Sequence, residues 1–378
     1  PSGFSPQVSA LRSLFQPLLK MPPLPDLSQN ALPADSGPSA AHPYARVIRA
    51  TSHPRAGLIG NPSDGFHGKA ISFIVRNFKA EVTLWGSPEL VIEPNLRDQM
   101  NFGSIAELVE DTQAFGYYGG LRLLKASVKR FHNHCLEGGL KLHSDNFTIR
   151  YHSDIPAHVG LAGSSAIITA CFRALMSYYE VSIPAPTLAN LVLSVETEEL
   201  RIPAGLQDRV IQAYEGLVFM DFAEEHFERQ GYGDYEELDP VTLPSFYIAY
   251  RTSLSEGTEI FHNDLRSRFN RAEPKVLAAM EEWADLAQQV RDHLLAGQGD
   301  RIAPLINRNF DLRRETCQLS SGNLAMVQAA RAVGASAKFT GSGGAIIGTY
   351  EGEEMFNDIH NRLAPLGAEV FKPQILGA

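Results

Sequence analysis

The chain has 378 residues, 44% of them hydrophobic and 20% charged, with a formal net charge of −10. That length and composition suit two domains with ample core. The acidic balance excludes an electrostatic grip on nucleic acid or on an anionic membrane, though not a small anion held in a local basic pocket. Cys135, Cys171 and Cys317 are too few and too scattered for a disulfide framework or a zinc site, so a reducing, cytoplasmic setting is expected. No apolar run approaches the roughly 20 residues of a membrane span.

Residues 1–45 place Pro22, Pro23, Pro25, Pro33, Pro38 and Pro43 among serines and alanines and read as a disordered leader. From Arg46 the texture is that of a folded protein, with one domain expected over 46–222 and a second over 223–378. "YARVIRATSHPRAGLIGNPSD" reads as a strand followed by a Gly-rich turn, and "AISFIVRNFKAEVTLWG" as two strands. Helical periodicity covers 104–113 and 119–136, broken by "GYYGG" at 116–120. "FTIRYHSDIP" is a strand. Helices follow over 164–180, with Ile167, Cys171, Ala174 and Leu175 on one face, and over 186–200. "GLQDRVIQAYEGLVFMDF" gives a short helix and a strand, after which the chain turns acidic and polar. "SFYIAYRT" is a strand, and helices run over 272–297, 300–318 and 322–333. "AKFTGSGGAIIGTY" is a strand, a Gly turn and a strand. A last helix and a strand near 367–371 close the chain. Strands and helices do not alternate as a regular βαβ series, which favours a two-domain α+β protein over a doubly wound sheet.

Three Gly-rich turns carry the chemistry: "RAGLIGNPSDG", "GLAGSSA" and "TGSGGA". None is a Walker A loop, because no Gly-Lys-Ser/Thr follows. None completes G-x-G-x-x-G, because Ile346 stands at the sixth position counted from Gly341. The second turn sets Gly160, Gly163, Ser164 and Ser165 directly against a helix start. That pattern fits a capped turn or an anion site, since a helix N-terminus offers unpaired N–H groups and a positive dipole end.

Taken together, in this order, the three turns resemble the signatures of the GHMP small-molecule kinases, which include galactokinase, homoserine kinase and the mevalonate kinases. The resemblance covers about 46–378 and rests on Arg55 to Asp64, Pro156 to Ala166 and Lys338 to Gly348. It implies a ribosomal S5 domain 2-like N-terminal domain and a ferredoxin-like C-terminal domain. It also implies ATP and Mg²⁺, with Gly160, Leu161, Ala162, Gly163, Ser164, Ser165 and Ala166 as the phosphate loop. "LIGNPSD", "GYYGG", "GLQDR", "NFDLRR" and "KFTGSGGA" are most similar to the sugar-acid branch of the family. The activity implied is phosphorylation of D-glucuronate at its anomeric hydroxyl, giving the 1-phosphate that feeds UDP-glucuronate synthesis. The partners implied are ATP and a sugar acid, with no nucleic acid and no membrane. Other sugar 1-kinases, acting on galactose, fucose, arabinose or a heptose, and a non-catalytic sugar sensor on the same fold stay open as alternatives.

Residue roles follow from the same resemblance. In "TLANLVLSVETEEL", Glu196 borders the apolar stripe of Leu188, Val192 and Val195. The family places a Mg²⁺-binding Glu twelve residues before its catalytic acid, with a Gly three before that acid. Glu196, Gly205 and Asp208 keep that spacing. Glu196 and Ser165 are therefore the expected metal ligands, and Asp208 the group that accepts or orients the sugar hydroxyl proton. Arg55 matches the family's first-motif cation, expected to pair with Asp208 and to stabilise transferred charge. Asp64 matches a sugar-hydroxyl ligand. Asn61 stands where galactokinases carry Glu, which argues against galactose. Gly343 is expected to line the same pocket. A uronate carboxylate also needs a cation, and a guanidinium fork fits it bidentately. Arg209 is the expected clamp, with Arg122, Arg313 and Arg314 as rivals.

Overall fold

The stretch read as one strand before the first Gly turn is two strands, β1 (Val47–Ser52) and β2 (Arg55–Ile59), in different sheets. Pro54 stands between them, and a residue without an N–H cannot carry a ladder onward. The computed structural model describes residues 46–95, 98, 103–109, 119–252 and 265–375. The expected leader over 1–45, the end of the expected helix over 104–113 and residues 116–118 of the "GYYGG" break lie outside the described residues.

The next two strands, β3 (Lys69–Ile74) and β4 (Ala80–Gly86), also part company. With β5 (Val91–Ile92) and β6 (Phe147–Ser153), the first sheet has the order β1-β4-β6-β5. Val47 lies opposite Trp85 and Ala80 opposite Ser153 in its antiparallel part, and β5 joins β6 in parallel. Its apolar face is covered by α1 (Gly120–Glu137), α2 (Gly163–Tyr179) and α3 (Ala185–Ser194). Val82, Leu84, Phe131, Phe172 and Leu175 are buried there.

The second sheet adds β7 (Leu217–Asp221) and β8 (Asp234–Leu238) in the antiparallel order β2-β3-β7-β8. β8 had no counterpart in the sequence reading, since "DYEEL" alternates poorly. It lies past the expected 222/223 division, so one sheet runs across that point. α4 (Gln207–Tyr214) packs Val210 and Ile211 against Ile74, Val218 and Met220 of this sheet. The short α5 (Glu224–Gln230) links β7 to β8.

The third sheet takes β9 (Phe246–Tyr250), β10 (Lys338–Phe339), β11 (Ala345–Thr349) and β12 (Glu369–Phe371) in the antiparallel order β10-β11-β9-β12. The long α6 (Pro274–Leu295) and α7 (Ala303–Thr316) share one core with it and with the second sheet. Trp283 is fully buried in that core with Phe73, Ile248 and Ile347. α8 (Ser321–Arg331) and α9 (Gly352–Leu363) cover its other face with Met326, Phe339 and Leu363. Sheets two and three meet at one seam, where the Gly57 N–H donates to the Thr340 carbonyl at 2.9 Å. That seam brings the first and third Gly-rich turns side by side. No helix among the described residues is long and apolar enough to cross a membrane.

Candidate active site

α2 begins without a side-chain cap, after Ala162 in the left-handed region at φ 62°. Ala162 turns its carbonyl back to the helix, where it accepts from Ala166 N, from the Ser165 hydroxyl at 3.2 Å and from Gln212 Nε2 at 2.9 Å. The first N–H groups of α2 have no partner within the helix, and the aligned peptide dipoles add positive potential at that end. Of the expected loop members, Leu161 and Ala166 are buried in the core. They set the loop's path, and its backbone is what remains to meet an anion.

The second and third turns interlock. Gly160 sits at φ 71°, and a Cβ there would come within 2.9 Å of the Gly343 carbonyl. A Cβ on Gly341 would come within 2.5 Å of the Gly160 carbonyl. Gly343 is thus a contact between loops, with Asn323 against its other side. The sequence reading had it line the sugar pocket.

Arg55 opens β2, and its backbone N–H donates to the Leu161 carbonyl at 3.1 Å. Its buried guanidinium donates to Asp208 Oδ1 at 2.6 Å, to the Gly160 carbonyl at 2.6 Å and to the Thr340 carbonyl at 3.2 Å. One side chain therefore joins all three turns to the acid expected to be catalytic. Arg313 of α7 makes a second clasp, donating to the carbonyls of Gly341 and Ser342 at 2.7 Å each while stacked over Phe339.

Glu196 lies in a five-residue π-helical turn, Val195–Glu199, where the sequence suggested plain helix. The wider turn swings its carboxylate inward, and it is 1% exposed. Glu196 Oε1 accepts the Ser164 hydroxyl at 2.9 Å. Ser165 is fully buried and bonds the Ala162 carbonyl instead. Of the two serines, it is therefore Ser164, and not the expected Ser165, whose hydroxyl faces Glu196 in this structure. The left-handed Ala162 sets the rotation of the helix start, and the sequence does not reveal it.

Arg209 is not a free fork. Its Nε donates to Glu196 Oε2 at 2.7 Å, and its Nη2 reaches the same oxygen. Nη1 donates to the Gly205 carbonyl at 2.8 Å and to Asp208 Oδ2 at 3.1 Å. Burial opposes its charge, but Glu196 and Asp208 outweigh burial and hold its pKa above the usual arginine value. The expected clamp is a buried strut between the two acids. Among its rivals, Arg313 is spent on the third turn, Arg314 faces solvent near Asp311, and Arg122 stands in the first turn of α1.

Asp64 sits in a single 3₁₀ turn, Ser63–Phe66, after the Asn61–Pro62 bond. A Cβ on Gly205 would come within 2.8 Å of its Oδ2, so the acid lies against the loop that leads into Asp208. Burial, then the Asp208 charge, raise its pKa to about 7, and Arg55 and Arg209 only partly offset this. Asn61, expected at the sugar, is 5% exposed, and its Oδ1 accepts from the Lys338 ammonium at 2.6 Å. Lys338 also donates to the Gly57 carbonyl at 2.7 Å. Burial and the charges of Arg313 and Arg55 push its pKa well below the ordinary lysine value. The sequence alone does not single out Lys338 as the partner of Asn61, although a lone Lys in an apolar strand at the third turn is a legible signal.

A pair of oxygens at a helix N-terminus, an acid held by two guanidiniums and three interlocked Gly turns are the parts of a phosphoryl-transfer site. The description "GHMP kinases N terminal domain" fits residues 122–216. The chain is 42% identical over 329 residues to "Probable glucuronokinase 2" of Arabidopsis thaliana, which covers 85% of this chain and 88% of that protein. It is also 42% identical to "Glucuronokinase 1" of the same plant, over 80% of this chain and 84% of that one. Galactokinase from Lactococcus lactis, solved with galactose, superposes with a TM-score of 0.69 at 13% identity, covering 88% of this chain and 94% of that one, which speaks for the fold alone. The fold is that of the GHMP kinases. The chain belongs to that family, beside the plant glucuronokinases.

Proposed function

We propose that the protein transfers the γ-phosphoryl group of ATP to the anomeric hydroxyl of D-glucuronate, giving D-glucuronate 1-phosphate and ADP. Identity of 42% to two plant glucuronokinases over most of the chain supports the substrate. The observation that carries the chemistry is the bridge from Arg55 to Asp208, Gly160 and Thr340. It holds one carboxylate beside the interlocked second and third turns, which supports Asp208 as the group that handles the proton of the sugar hydroxyl.

The uncapped first turn of α2 receives the phosphates through backbone N–H groups. Ser164 Oγ and Glu196 Oε1 suit Mg²⁺. They are hard oxygens 2.9 Å apart, close to the ~3 Å between neighbouring ligands of an octahedron with ~2.1 Å bonds. No cluster of three or more acidic, His or Cys side chains for a metal occurs among the described residues, so phosphate and water oxygens would complete the shell. Bound there, the ion would neutralise charge on the phosphates. Arg209 fixes Glu196 from behind and so holds the donor pair in place. Asp208 takes the proton of the sugar hydroxyl as its oxygen bonds to the γ phosphorus, and the bond from that phosphorus to ADP breaks. Arg55 stands beside Asp208 and against Gly160, where it opposes the negative charge between acid and phosphate.

The test is ADP release by the purified protein over a panel of glucuronate, galactose, fucose, arabinose and a heptose, with the product located by phosphorus NMR. Glucuronate-dependent ADP and an anomeric phosphate are expected. Preference for a neutral sugar would favour another sugar 1-kinase. ATP binding without turnover on any sugar would favour a sensor.

A further inference from the structure

The cation expected to hold a uronate carboxylate is unaccounted for once Arg209 is tied to Glu196. The chemistry of the sugar says where to look. The reacting oxygen is on C1, and the carboxylate is carried by C5, across the ring oxygen. An arginine bonded to Asp208 stands at the end of the sugar where the reaction occurs, so the carboxylate's partner belongs further off, at the turn that carries Asp64.

Arg266 is placed there. It follows Leu265, which is anchored in the core around Trp283. Its guanidinium lies over the Phe66 ring at 4.2 Å and donates through Nη2 to the Gly65 carbonyl. Gly65 and Phe66 belong to the same 3₁₀ turn as Asp64. Phe66 is itself buried and packs against Phe269 at 4.8 Å, which gives the stacked guanidinium a fixed floor. Unlike Arg55, Arg209 and Arg313, Arg266 remains exposed. Among the described residues it forms no ion pair with a carboxylate. The packing against its stacked face withdraws water from part of the guanidinium and lowers its pKa, and the Asp64 charge opposes this.

We infer that Arg266 is the specificity-determining residue of the sugar pocket, binding the substrate carboxylate through the N–H edge left open by its stacking on Phe66. The inference rests on the proposed glucuronate 1-kinase reading. Phe66 and Gly65 hold the guanidinium plane, and a held plane loses less freedom on forming two parallel bonds. Asp64, one turn position away, is then free to serve a ring hydroxyl. The pocket would thus read the sugar at both ends, with Asp208 at O1 and Arg266 at C6.

The experiment compares D-glucuronate with D-glucuronamide, which keeps the ring and lacks the charge. Wild type, Arg266→Gln and Arg266→Lys are assayed for kcat/KM on both sugars, with the KM for ATP and the melting temperature as controls. Where the amide turns over slowly, its inhibition constant gives the same comparison. Arg266→Gln should lower kcat/KM for glucuronate about 10- to 100-fold, the range for bonds to a charged group. It should change the amide little, and leave the ATP KM and the fold intact. Arg266→Lys should fall between, since it keeps the charge and loses the fork. An unchanged glucuronate-to-glucuronamide ratio in Arg266→Gln, or an equal loss on both sugars, would overturn the inference while leaving the kinase reading standing. A wild-type enzyme that prefers the amide or a neutral sugar would overturn both.

Discussion

On the phosphate side of Asp208, polar contacts run from buried guanidiniums to backbone carbonyls: Arg55 to Gly160 and Thr340, Arg313 to Gly341 and Ser342. On the side proposed for the sugar, side chains take a larger part: Asn61 accepts from Lys338, Arg266 stacks over Phe66, and Asp64 lies against Gly205. The two halves answer to different demands. A triphosphate is the same for every member of a kinase family, so its cradle can be built from backbone, which no substitution removes. The acceptor differs between members, and a pocket made of side chains on a turn can be altered one residue at a time. Rigidity on one side and adjustability on the other meet at Asp208, which Arg55 holds from the loop side and Asp64 faces from the other.

The sharpest way to break that meeting point is Asp208→Asn. It keeps the shape and removes the proton acceptor, so kcat should fall by roughly 10²–10⁴. The Arg55 and Arg209 contacts to the side chain would weaken, while the loop clasp to Gly160 and Thr340 stays. ATP–Mg²⁺ should therefore still raise the melting temperature of the variant, and calorimetric titration should still find a nucleotide site. Turnover near the wild-type rate would place the proton acceptor elsewhere.

Arg209→Gln separates structure from specificity. Its partner Glu196 is 1% exposed and would lose its charge partner inside the protein. Removing one member of such a buried pair costs about 3–5 kcal/mol. Thermal unfolding should show a loss of several degrees or more, largest without Mg²⁺, because a cation can then partner the stranded carboxylate. The ratio of activity on glucuronate to that on galactose should not move. A selective loss on glucuronate would return the carboxylate to Arg209 and count against Arg266.

These residues also show what the linear chain can and cannot display. Glu196, Gly205 and Asp208 are legible because they lie within one local unit, a helix end and the loop after it, where spacing alone fixes proximity. The three Gly turns are legible because loops whose backbones pack directly on one another tolerate few other residues. Which serine faces Glu196 was not legible. It depends on the left-handed Ala162, and nothing marks an alanine in advance as adopting that conformation. Arg209 was misjudged because a long side chain folds back onto a partner thirteen positions earlier instead of following Asp208 outward. Arg266 and Asp64 belong to elements far apart in sequence that tertiary packing unites, with Phe269 and Arg266 both docked on Phe66. The same holds for the sheets, where β1 and β2 read as one strand because local pattern cannot say which ladder a strand joins.

The smallest effect sharpens the comparison on the sugar side. Asp64 faces Asp208, Arg55 and Arg209 on one side and Arg266, docked on its turn, on another, and burial is the largest influence on it. Its folded pKa of about 7 lies above the value of 3.8 expected when it is unfolded. Between those two values the folded protein holds a proton that the unfolded chain has released. Stability therefore falls as pH rises from about 4 to 7, and the whole penalty is present above 7. Asp64→Asn removes that dependence, because an amide does not ionise. Without ligands, the variant should be more stable than wild type at pH 8, by an amount on the order of 1–3 kcal/mol, and close to wild type at pH 4. Melting curves at the two pH values check this. A gain of equal size at both would mean that Asn merely packs better. No gain at pH 8 would mean that Asp64 is well solvated and ionised, in which case the sugar side would be as fixed in charge as the phosphate side, and the contrast between them would be one of geometry alone.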